Sequence, residues 1–221
     1  MSHGTGLSKK RVELLTDGIF AVVMTLLVLD ISVPQISSSH DAIDSAAVGT
    51  KLLNGLFDLW PKLFSFGISF ILLAIFWLAH HRQFYYIKHV NRTLIWINFI
   101  FLMATCLLPF SASLLGEYSQ QQVSIFVFGA NSIMIASLLC IQWWYALSHY
   151  STLVHENLDP IIKTTSLRRL LFGIVVYLIA IGISFVDVRL SIYFFAASLI
   201  SAFMPNKIMH RMTFGALAEK K

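Results

Sequence analysis

Five stretches of this chain, residues 63–79, 93–116, 118–154, 170–186 and 190–206, contain no Asp, Glu, Lys or Arg. A folded chain that must face water on its outside cannot leave such runs uncharged, whereas a chain dissolved in a bilayer must. A helix needs about 20 apolar residues to cross a hydrocarbon core of about 30 Å. Each run reaches or approaches that length, and the 118–154 run is too long for one crossing. A sixth candidate is Leu14–Val33, where the acids Asp17 and Asp30 stand near the two ends of the apolar stretch. Composition agrees: 57% of the residues are hydrophobic, 12% are charged and the mean hydropathy is +0.74, whereas a soluble domain carries about 25% charged residues. The sequence therefore predicts an all-α integral membrane protein with six transmembrane helices and no separate soluble domain.

The basic residues set the expected orientation. If six spans alternate, Lys9, Lys10, Arg11, Arg82, Lys88, Arg92, Lys163, Arg168, Arg169, Lys207, Arg211, Lys220 and Lys221 fall on one side. Lys51, Lys62 and Arg189 fall on the other. Cytoplasmic loops carry the excess of Lys and Arg, so both termini are expected to be cytoplasmic in a multi-pass plasma-membrane protein. Residues 1–10 read as an N-terminal tail, 11–210 as the channel-sized membrane domain and 211–221 as a C-terminal tail. The formal net charge of +5 is thus a topology signal. No basic patch interleaved with aromatics sits on a polar domain, so nucleic acid is not an expected partner.

Connections follow from the same reading. Residues 34–57 form the only sizeable outer loop, with a second half apolar enough for a short interfacial helix. The second span starts around Asp58–Pro61, the fourth covers Ser124–Leu147, and residues 148–169 form an inner loop. Pro109 is expected to kink or break the third span. The last two spans are joined only by "VDVR", a tight helical hairpin. Cys106 and Cys140 lie within predicted spans and read as small apolar side chains. "NRT" at Asn91–Thr93 matches a glycosylation sequon but falls on the basic side, where it reads as coincidence.

The first span poses two polar problems. At 100° per residue, Gly18, Val22, Thr25, Leu26 and Leu29 share one stripe. Asp17 points well away from it. A carboxylate within a span needs partners, and Arg11, six residues earlier, lies on a different side of the helix. The second span brings Trp77, His80 and Arg82 to the same depth. An Asp17–His80 or Asp17–Arg82 contact is expected, with the Trp77 indole as a further donor; the alternative is that Asp17 reaches interfacial water. Thr25 admits two readings, a hydroxyl bonded to its own helix or the one hydroxyl in an apolar throat, where rings of apolar side chains gate by dewetting.

Three blocks of sequence, in order, carry a resemblance. "RVELLTDGIFAVVMTLLVLDI", with Arg11, Leu15, Thr16 and Asp17, resembles the Arg-x-x-x-Phe-Ser-Asp signature of the transmembrane-protein-175 potassium channels in their short prokaryotic, single-repeat form. "WLAHHRQF", with Trp77, His80, Arg82 and Phe84, resembles the end of that family's second span. "TLIWINFIFLMATCLLPF", with Asn98, Leu108 and Pro109, resembles its third. The resemblance implies a homotetramer of six-helix subunits, a pore lined by the first helix, and no Thr-Val-Gly-Tyr-Gly filter loop, a sequence this chain does not contain. By position it puts the hydrophobic constriction on Val22, further apolar layers on Leu26 and Leu29, and cation preference on Thr25, with K+ passing near that hydroxyl. Arg11, Thr16, Asp17, Trp77, His80, Arg82 and Asn98 would form the packing network behind the pore helix. Leu15 replaces the signature's aromatic, Thr16 replaces its Ser, and Val22 is smaller than the expected Leu or Ile. A ring of valines leaves a wider throat or moves the narrowest point to Leu26 or Leu29.

The expected function is a potassium-permeable cation channel with itself, the bilayer and monovalent cations as partners and no cofactor. A proton-coupled carrier needs titratable groups in mid-membrane, and the spans are nearly free of them, although proton leakage through the same pore stays open. An intramembrane enzyme is disfavoured: His80, His81 and His89 lack the i, i+4 spacing and nearby carboxylate of a helical metal site. A non-conducting membrane scaffold is the remaining alternative.

Overall fold

The computed structural model describes residues 8–35, 45–154 and 160–202. They form helices α1 (Lys9–Leu29), α2 (Ser45–Asp58), α3 (Trp60–Tyr86), α4 (Arg92–Cys106), α5 (Leu108–Glu117), α6 (Gln122–Ser148), α7 (Tyr150–Leu153), α8 (Pro160–Ser184) and α9 (Val188–Ala202). Among the described residues five helical segments are long and apolar enough to cross a membrane: α1, α3, α4 with α5 as one span, α6, and Lys163–Ser184 of α8. The predicted sixth is present as the shorter apolar helix α9, and the residues after Ala202, including the predicted C-terminal tail, lie outside the described part, as does most of the N-terminal tail.

Several boundaries differ from expectation for physical reasons. The α1 helix ends at Leu29, short of Val33. Pro34 disfavours helix in the residue before it, and Asp30 turns inward to accept a hydrogen bond from Ser113 Oγ at 2.7 Å. The α8 helix starts at Pro160, not near residue 170. A charge-free run measures what the hydrocarbon tolerates, and a helix carrying Lys163, Arg168 and Arg169 simply projects past it. Proline suits such a first turn. The inner loop is correspondingly shorter than 148–169. The apolar second half of the 34–57 connection forms α2, which lies close to the end of α1: a Cβ on Gly55 would come within 2.7 Å of Pro34 Cβ.

The third span breaks as Pro109 requires. In a continuous helix Leu108 N–H would bond Ala104 C=O. Instead Leu107 N–H reaches Ala104 C=O at 3.3 Å, and the buried Asn131 of α6 inserts its amide into the gap. With the amide oriented to match its neighbours, Nδ2 donates to Ala104 C=O at 3.1 Å, while Oδ1 accepts from Leu108 N–H and Ser111 Oγ–H, both at 3.2 Å. Backbone groups freed in hydrocarbon must find such partners, because water is not there to take them.

The core is shared by α1, α3, α4, α5, α6, α8 and α9, with Phe20, Leu72, Phe101, Leu108, Phe128, Ile135 and Ala180 among its buried side chains. A second cluster closes the basic end around Phe84, Ile87, Leu94, Trp143 and Val154. There Ile87 bridges Val154. Asn91 caps α4 by accepting from Leu94 N–H at 2.9 Å and donates to the Tyr145 hydroxyl at 2.9 Å. The sequon asparagine is therefore a helix cap. At the opposite end Lys62 pairs with Glu117, and Asp187 caps α9 through Leu190 N–H at 2.9 Å, closing the predicted α8–α9 hairpin.

Candidate functional site

Helix α1 has two opposed faces. Val12, Thr16, Phe20, Val23 and Leu27 are buried at the i, i+4 and i, i+3 spacings that share one side of a helix. They pack onto α3, α4 and α5. The stripe on the other side is open: Val22 is 56%, Leu26 43% and Leu29 75% exposed, and Gly18 and Thr25 are exposed with them. Val22, Leu26 and Leu29 thus lie outside the buried core of their own subunit. Thr25 Oγ1 donates to Val22 C=O at 2.7 Å. Its proton is committed to the helix, so the lone pairs of its oxygen are what the outside meets.

Behind the basic half of this helix lies a polar clamp. His80 of α3 and Asn98 of α4 are 2% and 1% exposed, with His80 Nε2 2.8 Å from Asn98 Oδ1. Asn98 Nδ2 donates to Thr16 Oγ1 at 3.2 Å, and Thr16 Oγ1 donates to Val12 C=O at 2.9 Å. The directions are mutually consistent. The threonine proton is spent on Val12, so Asn98 must donate to Thr16, which leaves its Oδ1 facing His80 and assigns the Nε2 proton to the histidine. The imidazole is stacked between Phe84 and Phe101, at centroid distances of 4.3 and 5.4 Å.

Asp17 finds a different partner from the two preferred by sequence. Trp77 Nε1 donates to Asp17 Oδ1 at 2.8 Å, and the Trp77 ring stacks on His81 at 5.3 Å. His80 turns instead to Asn98, because it sits three residues beyond Trp77 on the buried side of α3 while Asp17 lies on an exposed flank of α1. Among the described residues neither His80 nor Arg82 donates a hydrogen bond to Asp17. Arg82 is half-buried near Arg169 of α8. Arg11 is exposed and enters none of the side-chain bonds of the described residues, as its position on another side of α1 requires. The Ser113–Asp30 bond, which holds the far end of α1 to α5, was not anticipated. A serine in a charge-free run level with the acid closing the first span was its only signal.

These bonds yield a first test. Asp17→Asn retains an oxygen acceptor for Trp77 and is expected to melt close to wild type. Asp17→Leu removes it and leaves the indole N–H without its partner, a loss of about 1–3 kcal/mol. A thermal-unfolding series on the detergent-solubilised protein checks this. Equal melting temperatures for the Leu and Asn variants would show that Trp77 does not anchor α1.

Among the described residues no three His, Cys, Asp or Glu side chains converge as a metal site. What the geometry defines is a multi-pass helical-bundle membrane protein whose first helix is clamped at both ends and bare along one apolar side. A family model described as "Endosomal/lysosomal potassium channel TMEM175" matches residues 11–109. A protein named potassium channel from Streptomyces collinus is 31% identical over 187 residues, 82% of this chain and 85% of that relative. The chain belongs to the TMEM175 family, a family of ion channels and not of enzymes. A crystal structure described as a lysosomal potassium-selective channel TMEM175 homolog from Chamaesiphon minutus matches with a TM-score of 0.72 at 28% identity, covering 88% of this chain and 95% of that one. The human endosomal/lysosomal proton channel TMEM175 is 27% identical over 158 residues, which are 70% of this chain and 30% of the human protein.

Proposed function

We propose that this chain is a potassium-permeable cation channel of the plasma membrane, assembled as a homotetramer around α1 with both termini in the cytoplasm. The observation that carries the reading is the two-sidedness of α1. Its buried side fixes the helix to its own subunit, while Val22, Thr25, Leu26 and Leu29 face outward in the order and spacing of a pore lining. One stripe cannot enclose a pore, so closed rotational symmetry must supply the rest of the wall. The names of the Streptomyces and Chamaesiphon relatives support potassium as the permeant ion.

The mechanism follows from the side chains. Rings of Val22, Leu26 and Leu29 offer an ion no ligand, so conduction requires the throat to be wet, and an apolar throat gates by dewetting. Between these rings Thr25 presents oxygen lone pairs, because its proton is bound to Val22 C=O. Lone pairs favour a partly dehydrated cation and give an anion nothing. The stripe carries no charge, so selectivity rests on those oxygens and is modest. Potassium flux into liposomes containing the purified protein tests the reading; a protein that folds and assembles without flux would be a scaffold. Thr25→Ala is expected to lower the preference for potassium over sodium by about threefold, a change on the order of one hydrogen-bond-sized contact. Reversal potentials in bi-ionic conditions measure it, and unchanged potentials would remove Thr25 from the selectivity mechanism.

Proton permeation is the second reading, favoured by the name of the human relative. With no titratable group in the stripe, protons would travel along the pore water and not by side-chain relay. Currents under a pH gradient without potassium separate the two.

A further inference from the structure

Among the described residues three buried side-chain amide atoms near the basic end have no protein partner: both amide atoms of Gln142, and Oε1 of Gln83. Gln142, on α6, is 0% exposed, and Gln83, on α3, is 3% exposed. Gln83 reaches α6 one turn before Gln142. Gln83 Nε2 donates to Leu139 C=O at 3.1 Å, and that carbonyl points along α6 toward the turn that carries Gln142. A helical side chain in turn leans toward the N-terminal end of its helix, which brings the Gln142 amide back over Leu139. The seam between α3 and α6 thus gathers one N–H2 donor and two carbonyl acceptors beside an occupied backbone oxygen.

An orphaned buried polar group costs about 1–3 kcal/mol, and the set at this seam matches a single small molecule. A water molecule can accept from Gln142 Nε2 and donate its two protons to Gln83 Oε1 and Gln142 Oε1, the three bonds typical of an internal water. A metal cation is excluded by the amide donor, and an anion by the two acceptors. We infer that Gln83 and Gln142 hold an internal water inside each subunit, at the seam between α3 and α6. This water is separate from any water in the proposed pore, since the pore stripe lies on the opposite side of α1. It completes a polar layer in which α3 reaches α1 and α4 through His80 and Asn98, and α6 through the bridged glutamines.

Hydroxyl-radical footprinting by X-ray radiolysis of the full-length protein in lipid nanodiscs tests this, because bound water generates radicals where it sits and labels side chains that bulk solvent never reaches. Leu139 and Trp143 are fully buried beside the site; Phe128 and Ile135 are equally buried on the same helix but away from it. After correction for intrinsic reactivity, Leu139 and Trp143 are expected to be labelled at least severalfold faster than Phe128 and Ile135. Gln142→Leu is expected to remove that excess while exposed Trp96 keeps its rate. Labelling of Leu139 and Trp143 no faster than that of Phe128 and Ile135 in the wild type overturns the proposal without recourse to any variant. An excess that survives intact in folded Gln142→Leu overturns it equally.

Discussion

Val22→Trp is expected to cut potassium flux into liposomes by about tenfold or more, while the subunit melts within about a degree of wild type. More than half of the Val22 side chain is exposed in its own subunit, so an indole there displaces nothing in the core and forces no overpacking. If the stripe surrounds an axis, each subunit pushes a ring system into the throat, and tenfold slowing corresponds to only about 1.4 kcal/mol of added barrier. The combination of lost flux and an intact fold is what distinguishes a blocked pore from a damaged protein. If the stripe faces acyl chains instead, an indole is accommodated there and flux is unchanged. That outcome would end the channel assignment of α1, whatever the family of the chain.

The second large effect is on stability. Asn98→Leu leaves the buried His80 Nε2–H with no acceptor in hydrocarbon, while Thr16 keeps its own bond to Val12. The stranded N–H costs about 1–3 kcal/mol, and at about 2–4 °C per kcal/mol for a chain of this size the melting temperature should fall by about 2–12 °C. Removing both partners is expected to restore much of it. In His80→Phe with Asn98→Leu nothing polar is left unpaired, and a phenyl ring can occupy the aromatic slot between Phe84 and Phe101. Calorimetry of the two single variants and the double variant measures the coupling. A double variant less stable than either single would show that the histidine matters for something other than its bond to Asn98.

The spans could be read directly from sequence because a membrane punishes charge strongly and everywhere, so the runs without Asp, Glu, Lys or Arg locate α3 and α6 and mark the α4–α5 pair almost to the residue. The same rule misplaced the start of α8, since a helix obeys backbone hydrogen bonding beyond the depth at which charge becomes tolerable. Site residues divide in the same way. The stripe on α1 is a matter of 100° steps and follows from position alone. Which donor meets Asp17 depends on how α3 is rotated against α1, and three candidates within six residues, Trp77, His80 and Arg82, span more than half a turn. Asn131 was passed over because one polar residue in an apolar run signals little until its neighbour across the seam is known to be the chain break at Pro109. Gln83 and Gln142 went unnoticed for the same reason.

That break has a consequence for how the protein is made. The Ala104 carbonyl and the Leu108 amide are completed by a side chain that is still inside the ribosome when α4 and α5 leave it. The third crossing therefore cannot reach its final hydrogen-bonded state in the bilayer alone; it must wait at the translocon, or beside it, for α6 to arrive. The linker between α5 and α6 is only a few residues long, which keeps that delay short and makes the two crossings a single unit of insertion.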